Sequence, residues 1–94
     1  MNKEKLRYAI LKEVSNGNSA LTESDFEVTA EQFDDSVNYL TREGYLKGVQ
    51  PSDDRPHLYA IGPVLTDKGE AHLEENSTWG KLYKGIKEIR DWLK

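Results

Sequence analysis

Residues 29–61, TAEQFDDSVNYLTREGYLKGVQPSDDRPHLYAI, contain the change of hydrophobic period that decides the fold. In the first half, three apolar side chains recur at spacings of four and three: Phe33, Val37 and Leu40. This spacing predicts a helix over Thr29–Glu43 with those side chains on its buried face. Thr29 and Gln32 form a capping box at its start, and Gly44 is a typical stop after its last turn.

The second half of this stretch has the composition of a β-hairpin. Two short β-prone runs, 45–49 and 58–61, flank the polar segment 50–57, which is dense in turn-forming residues. We therefore predict two strands joined by a polar tip. Gly62 and Pro63 end the second strand.

Helical patterns lie on both sides of this stretch. The predicted helices are Asn2–Ser15, Glu23–Phe26 capped by Thr22, Leu65–Asn76 capped by Thr66, and Thr78–Lys94. The order helix, short helix, helix, hairpin, helix is that of a winged helix-turn-helix domain. The sequence thus predicts an α+β, mostly helical fold. We expect one winged-helix domain over residues 1–94, with a two-stranded wing and an extra C-terminal helix.

Composition limits the classes of chemistry that this chain can perform. The sequence has no cysteine, which excludes disulfides, thiolate zinc sites and cysteine nucleophiles, and suits a reducing compartment. The stretch MNKEKLRYAILKEV lacks a long apolar run, so we expect neither a signal peptide nor a membrane span there. A cytoplasmic location is the expectation that follows.

The net charge of −4 hides a segregation of charge along the sequence. Residues 1–14 carry +2, residues 15–77 carry −9, and residues 78–94 carry +3. The basic residues of the last segment are Lys81, Lys84, Lys87, Arg90 and Lys94. On one continuous helix they would form an oblique stripe, which could neutralise the acidic body of the same chain.

Two motifs carry a family resemblance. REGYL at 42–46 resembles the end of the recognition helix in many bacterial winged-helix proteins, and LTDKG at 65–69 resembles the start of the helix that follows their wing. Over essentially all 94 residues, the chain is similar to the YjcQ-like family of small bacterial proteins, which are often found in phage or prophage regions. The resemblance implies a winged-helix fold and carries no biochemical activity.

DNA binding is one hypothesis that this fold implies. The recognition helix would be Thr29–Glu43, and the cations available for phosphates would be Arg42, Lys47 and Arg55. Carboxylates dominate that helix, and negative charge opposes approach to a phosphate backbone. A DNA-binding transcriptional regulator is therefore the alternative function rather than the first.

Protein–protein interaction is the preferred hypothesis, with an unknown partner or a second copy of the chain. One candidate surface is the outer face of the recognition helix, with Asp34, Asp35 and Asn38. The other is the last helix, where an apolar seam runs at steps of three and four: Trp79, Leu82, Ile86, Ile89 and Leu93. This seam could equally pack on the first helix of the same chain. Trp92 lies off the seam and, with Ile89, is a candidate partner anchor if exposed.

We expect no enzymatic activity and no metal or cofactor. His57 and His72 lack the spacing of a metal site, and no phosphate-binding loop or serine elbow is present. Both histidines are more typical of surface or half-buried positions than of a catalytic centre.

Overall fold

The computed structural model describes residues 1–94, and helix α1 (Lys3–Ser15) lies at its centre. Helix α1 packs against two further helices, a strand and the C-terminal segment. Leu6, Ile10 and Val14, spaced by four residues, are buried, as are Tyr8 and Leu11 on other sides of the helix. A helix that is buried on several sides has contacts all round, so an amphipathic pattern describes only part of its packing.

Helices α2 (Glu23–Phe26) and α3 (Ala30–Arg42) begin where their capping residues predict. The Thr22 N–H donates to Asp25 Oδ2 at 2.8 Å. At the start of α3, the Thr29 N–H donates to Gln32 Oε1 at 2.9 Å, and the Gln32 N–H donates to Thr29 Oγ1 at 3.1 Å. Both predicted helices and the Thr29–Gln32 capping box are therefore confirmed.

The strands differ from the prediction. Strands β2 (Gln50–Ser52) and β3 (Arg55–His57) form a hairpin, whereas β1 (Leu46–Lys47) pairs with β4 (Val64–Leu65) in a second antiparallel sheet. The hairpin therefore lies within the segment that we predicted to be its tip. The predicted strand over 58–61 is wrong, because those residues form no ladder.

The local geometry explains why a segment rich in proline and aspartate forms this hairpin. Asp53 and Asp54 both have positive φ, at 52° and 63°, and close a two-residue turn. Pro51 faces Pro56 across the ladder. In such a hairpin the pair next to the turn is hydrogen-bonded and the following pair is not, so these prolines cost no ladder bond.

The segment between β3 and β4 is an extended loop, fixed at two points. Leu58 inserts into the core, and Ser19 Oγ donates to the Ala60 carbonyl oxygen at 2.9 Å. Tyr59 and Ile61 point outward, and Ile61 is 92% exposed. Tertiary contacts with the loop before α2 thus replace the strand that the β-prone residues predict.

Helix α4 (Asp67–Glu75) begins at Thr66, as predicted. Thr66 Oγ1 accepts from the Gly69 N–H at 3.0 Å and donates to the Gly44 carbonyl oxygen, which joins the end of α3 to the start of α4. Gly69 allows this close approach, because a Cβ at that position would overlap the Tyr45 carbonyl oxygen.

The predicted continuous helix over Thr78–Lys94 is wrong. The segment forms helix α5 (Ser77–Leu82), a 3-10 turn (Ile86–Glu88) and helix α6 (Ile89–Leu93). The break follows Leu82, where Tyr83 is extended, and Gly85 takes a φ of 94°. Leu82 is 62% exposed, so neither the apolar seam nor the basic stripe runs along one helix.

The fold is α+β and mostly helical, with two small antiparallel sheets, which confirms the predicted class. Sixteen buried hydrophobic residues form one core cluster that includes side chains from α1, α3 and α6. No helix combines the length with the apolar composition that a bilayer crossing requires. The more specific winged-helix assignment stays a prediction.

Candidate functional site

A groove of about 320 Å³ separates α3 from the β2–β3 hairpin. Asn38 and Thr41 contribute the α3 wall, and the other lining residues come from the hairpin and the residue before it: Val49, Pro51, Asp54, Arg55 and Pro56. Because Pro51 and Pro56 are cross-strand partners, they lie on the same face of the ribbon. The groove therefore has an apolar floor and polar walls.

Arg55 connects the hairpin to α3 and α2 through hydrogen bonds to one carboxylate on each helix. Its Nε donates to Asp34 Oδ2 at 2.8 Å and its Nη2 to Asp34 Oδ1 at 3.1 Å, a bidentate geometry. The same Nη2 donates to Glu23 Oε1 at 3.1 Å. One guanidinium thus bridges two carboxylates from separate helices.

The electrostatics of this cluster favour its charged form. Hydrogen bonds to Asp34 and then to Glu23 raise the pKa of Arg55. A hydrogen bond from its own backbone N–H, assisted by Arg55, lowers the pKa of Glu23. Arg55 and Glu23 therefore stay ionised at neutral pH, and the exposure of the cluster to solvent limits the stability that the pairs provide.

The predicted nucleic-acid-binding residues do not form a single surface. Arg55 is held by Asp34, whereas Arg42 lies at the opposite end of α3, about 12 Å farther along the helix axis. Lys47 is exposed on β1. One predicted phosphate contact is thus neutralised by a residue that we predicted for partner binding.

The predicted partner-binding residues of α3 divide between two environments. Asp34 faces the hairpin through Arg55, while Asp35 and Asn38 are exposed. Four carboxylates around the groove and the outer face of α3 make no ion pair within 4.0 Å: Glu31, Asp35, Asp53 and Asp54. This surface carries uncompensated negative charge.

The second predicted partner surface lies in the core. Ile89 is buried, and Trp92 is only 7% exposed, so the expectation of an exposed tryptophan anchor is wrong. The Trp92 Nε1 donates to the Lys5 carbonyl oxygen at 2.8 Å, and its ring packs among those of Tyr8, Trp79 and Tyr83 at centroid separations of 5.3–5.7 Å. The break after Leu82 turns α6 onto α1, which buries both side chains.

A buried carboxylate attaches the C-terminal segment to α1. The Tyr83 hydroxyl donates to Glu13 Oε2 at 2.6 Å, and Asn18 Nδ2 donates to Glu13 Oε1 at 3.0 Å. Burial, followed by the hydrogen bond and the charge of Glu13, raises the pKa of Tyr83 well above its ordinary value. Sequence reasoning missed this contact because 70 positions separate the two residues.

We expect Tyr83→Phe to lower stability at pH 8 by about 1–2 kcal/mol, because Glu13 loses a donor in a buried site. Above pH 10 the unfolded chain releases the phenol proton of Tyr83 while the folded chain retains it, so wild-type stability falls as pH rises. This contribution amounts to about 1.4 kcal/mol per pH unit, and the variant should lack it. Urea unfolding between pH 8 and 11.5 measures both effects.

The control is Tyr59→Phe, at an exposed tyrosine without a hydrogen bond, which should reproduce the wild-type curve. Parallel stability curves for wild type and Tyr83→Phe above pH 10 would contradict the expectation.

The histidines lie apart in two aromatic contacts. His72 stacks on Tyr45 at a centroid distance of 4.6 Å, and His57 lies 4.3 Å from the Tyr59 ring. No group of three or more histidine, aspartate or glutamate side chains has the geometry of a metal site.

Comparisons with known proteins all identify the same family. A model of the YjcQ family, described as YjcQ protein, matches residues 4–92. The uncharacterised protein YjcQ of Bacillus subtilis (strain 168) is 66% identical over 94 residues, which cover all of both chains. The solution NMR structure of YjcQ from Bacillus subtilis matches with a TM-score of 0.73 and 65% identity, covering 79% of this chain and 95% of that one. The chain belongs to the YjcQ family.

Proposed function

We propose that this protein acts by binding a basic segment of another protein in the groove between α3 and the β2–β3 hairpin, without catalysing a reaction. The observation that carries the proposal is the engagement of Arg55 by Asp34 and Glu23. With that cation paired internally, the exposed charge around the groove is negative. A cationic partner has complementary charge, which accelerates encounter and fixes orientation.

The lining of the groove suits arginine and lysine side chains. Their aliphatic stems can lie on Val49, Pro51 and Pro56, while their charged ends reach the carboxylate of Asp54 in the lining and that of Asp35, which is exposed on α3 one turn before Asn38. Asn38 and Thr41 offer neutral hydrogen-bonding groups on the α3 wall. A segment with spaced basic residues would thus satisfy both the apolar floor and the acidic rim.

Regulatory DNA binding is the second candidate, and the predicted winged-helix architecture favours it. Arg42 and Lys47 are exposed and available to phosphates. Two observations weigh against it: the pairing of Arg55 and the acidic outer face of α3. A cytoplasmic location is part of either proposal, supported by the absence of cysteine.

Fluorescence anisotropy with a labelled peptide containing three arginines spaced by serine and leucine tests the proposal at low salt. We expect the double variant Asp35→Asn/Asp54→Asn to bind this peptide about tenfold more weakly, because two rim charges contribute together about 1–1.5 kcal/mol. The matched control, Glu74→Gln/Glu75→Gln, removes the same charge from exposed positions of α4 and should change binding less than about twofold.

Equal weakening of peptide binding by both double variants would show that only net charge matters and would contradict binding in the groove. The same titration with duplex DNA separates the alternatives. Salt-sensitive binding of the duplex that is weakened by Arg42→Ala and Lys47→Ala, without binding of the peptide, would replace protein interaction by DNA binding.

A further inference from the structure

A second cavity, of about 240 Å³, lies between α1, α3, α4 and α5, away from the groove. Three aromatic side chains form much of its wall: Tyr39, Tyr45 and Trp79. Its polar lining includes Arg7, Glu4 and His72. The cavity is smaller than the sites that hold drug-sized ligands, so it suits a molecule with about one ring.

Arg7 is the unusual member of this lining. Its guanidinium lies over the Tyr39 ring, with Cζ 3.6 Å from the ring centre. Its Nε is buried without any hydrogen-bond partner, and no carboxylate lies within ion-pair distance of the group. A buried donor without a partner destabilises the fold, and more so when it is charged, so native proteins rarely retain one.

The surroundings of Arg7 favour an anion as the missing acceptor. Lys68 Nζ lies 5.1 Å from the centre of the Tyr45 ring, and Arg42 Cζ lies 5.8 Å from that of Tyr39, but neither residue lines the cavity. Glu4, one helical turn before Arg7, is the acidic side chain in the cavity lining and does not pair with Arg7. Arg7 and Glu4 are thus the charged groups of the lining, and because a guanidinium only donates hydrogen bonds, the missing partner of Arg7 is an acceptor such as a carboxylate.

We propose that this cavity binds a small aromatic carboxylate, with the carboxylate accepting hydrogen bonds from Arg7 and the ring held between the aromatic walls. The planar, forked guanidinium matches a carboxylate in geometry. The Arg7 guanidinium already contacts the Tyr39 ring, so less side-chain freedom is lost when the ligand binds. His72, stacked on Tyr45, adds a further hydrogen-bonding group to the same wall.

Titration of the wild-type protein with benzoate, followed by the Nε–Hε signal of Arg7 in proton–nitrogen NMR spectra, tests the proposal. Benzamide is the matched neutral probe. We expect saturable shifts with benzoate, with a Kd on the order of 1 mM, and binding of benzamide at least about tenfold weaker. Equal responses to the two probes, or no saturation by benzoate at about 20 mM, would overturn the proposal.

Three variants locate the binding. Arg7→Met keeps the aliphatic stem and should abolish the response of Tyr39 and Tyr45 to benzoate, whereas Arg42→Met should leave it unchanged. Glu4→Gln removes the competing negative charge and should tighten binding about two- to fivefold. Unchanged binding in a folded Arg7→Met variant would refute the assignment. If that variant does not fold, the comparison of benzoate with benzamide on the wild-type protein decides.

Discussion

Trp92→Ala should lower the free energy of unfolding by about 3–5 kcal/mol, the usual cost of removing a buried aromatic side chain. Trp92 packs against the rings of Tyr8, Trp79 and Tyr83, and Lys5 Nζ lies 5.0 Å from the centre of its ring. Domains of this size are stable by about 5–15 kcal/mol, so the loss is a large fraction of the total. Urea unfolding followed by circular dichroism measures it.

Two further variants divide the effect of Trp92 into its parts. Trp92→Phe keeps an aromatic ring but removes the indole N–H that donates to the Lys5 carbonyl oxygen. The lost hydrogen bond should cost about 1–2 kcal/mol in addition to the cost of the lost packing. Leu82→Ala removes an exposed apolar side chain from the same segment and should change stability by about 0.5 kcal/mol or less. Equal, small effects of Trp92→Ala and Leu82→Ala would contradict the burial of Trp92.

Gly69→Ala is expected to destabilise the protein by more than about 3 kcal/mol, although alanine is the better helix former. Helix propensity alone favours alanine over glycine by about 1 kcal/mol. The new Cβ would overlap the Tyr45 carbonyl oxygen and lie 3.1 Å from its carbonyl carbon and 3.3 Å from Leu65 Cγ. Because two of these atoms belong to the backbone, α4 must move away from the end of α3.

Ala71→Gly supplies the matched control for Gly69→Ala. Ala71 is exposed on the same helix, so this change measures propensity alone and should cost about 1 kcal/mol. Thermal unfolding of both variants compares the two effects directly. A stabilised Gly69→Ala protein would show that the contact between α4 and Tyr45 is looser than the structure has it.

Sequence reasoning succeeded where local chemistry determines the structure. Thr22 and Thr29 each begin a helix in which the side chain three residues later accepts from their backbone N–H, and Thr66 begins one by accepting from the Gly69 N–H. Gly44 ends α3 with a positive φ of 80°. These signals need no knowledge of the tertiary fold, and the order of elements followed from them.

The predictions for the hairpin and for the last helix are wrong because distant contacts override local preference there. The prolines of the β2–β3 hairpin indicated a loop, because their place in the ladder depends on a register that local propensity does not reveal. The last helix breaks because Tyr83 and Trp92 find partners on α1, near the opposite end of the chain. An apolar spacing of three and four residues is the same in a continuous helix and in a broken one, so the pattern in the last segment does not reveal the break.

The candidate sites were predictable in part. The acidic character of α3 was evident from composition, and Asp35 and Asn38 are exposed as that interpretation requires. The pairing of Arg55 with Asp34 was not, because 21 positions separate them and both residue types are ordinary on a surface. The sequence does not indicate a special role for Arg7, because a buried guanidinium nitrogen without a hydrogen-bond partner is recognised only once the surrounding side chains are placed.

The two ends of the chain meet in the folded protein, and this contact has a consequence for biosynthesis. The Asn2 N–H donates to the Leu93 carbonyl oxygen at 3.3 Å, beside the contact between Trp92 and Lys5. On the ribosome the central helix is made before the segment that covers its Tyr8 side. A nascent chain must therefore carry an uncovered aromatic surface until that later segment has been made, and the core can close only then. The entropy cost of closing a loop rises only slowly with its length. This order of synthesis therefore delays folding without lowering the stability of the folded protein.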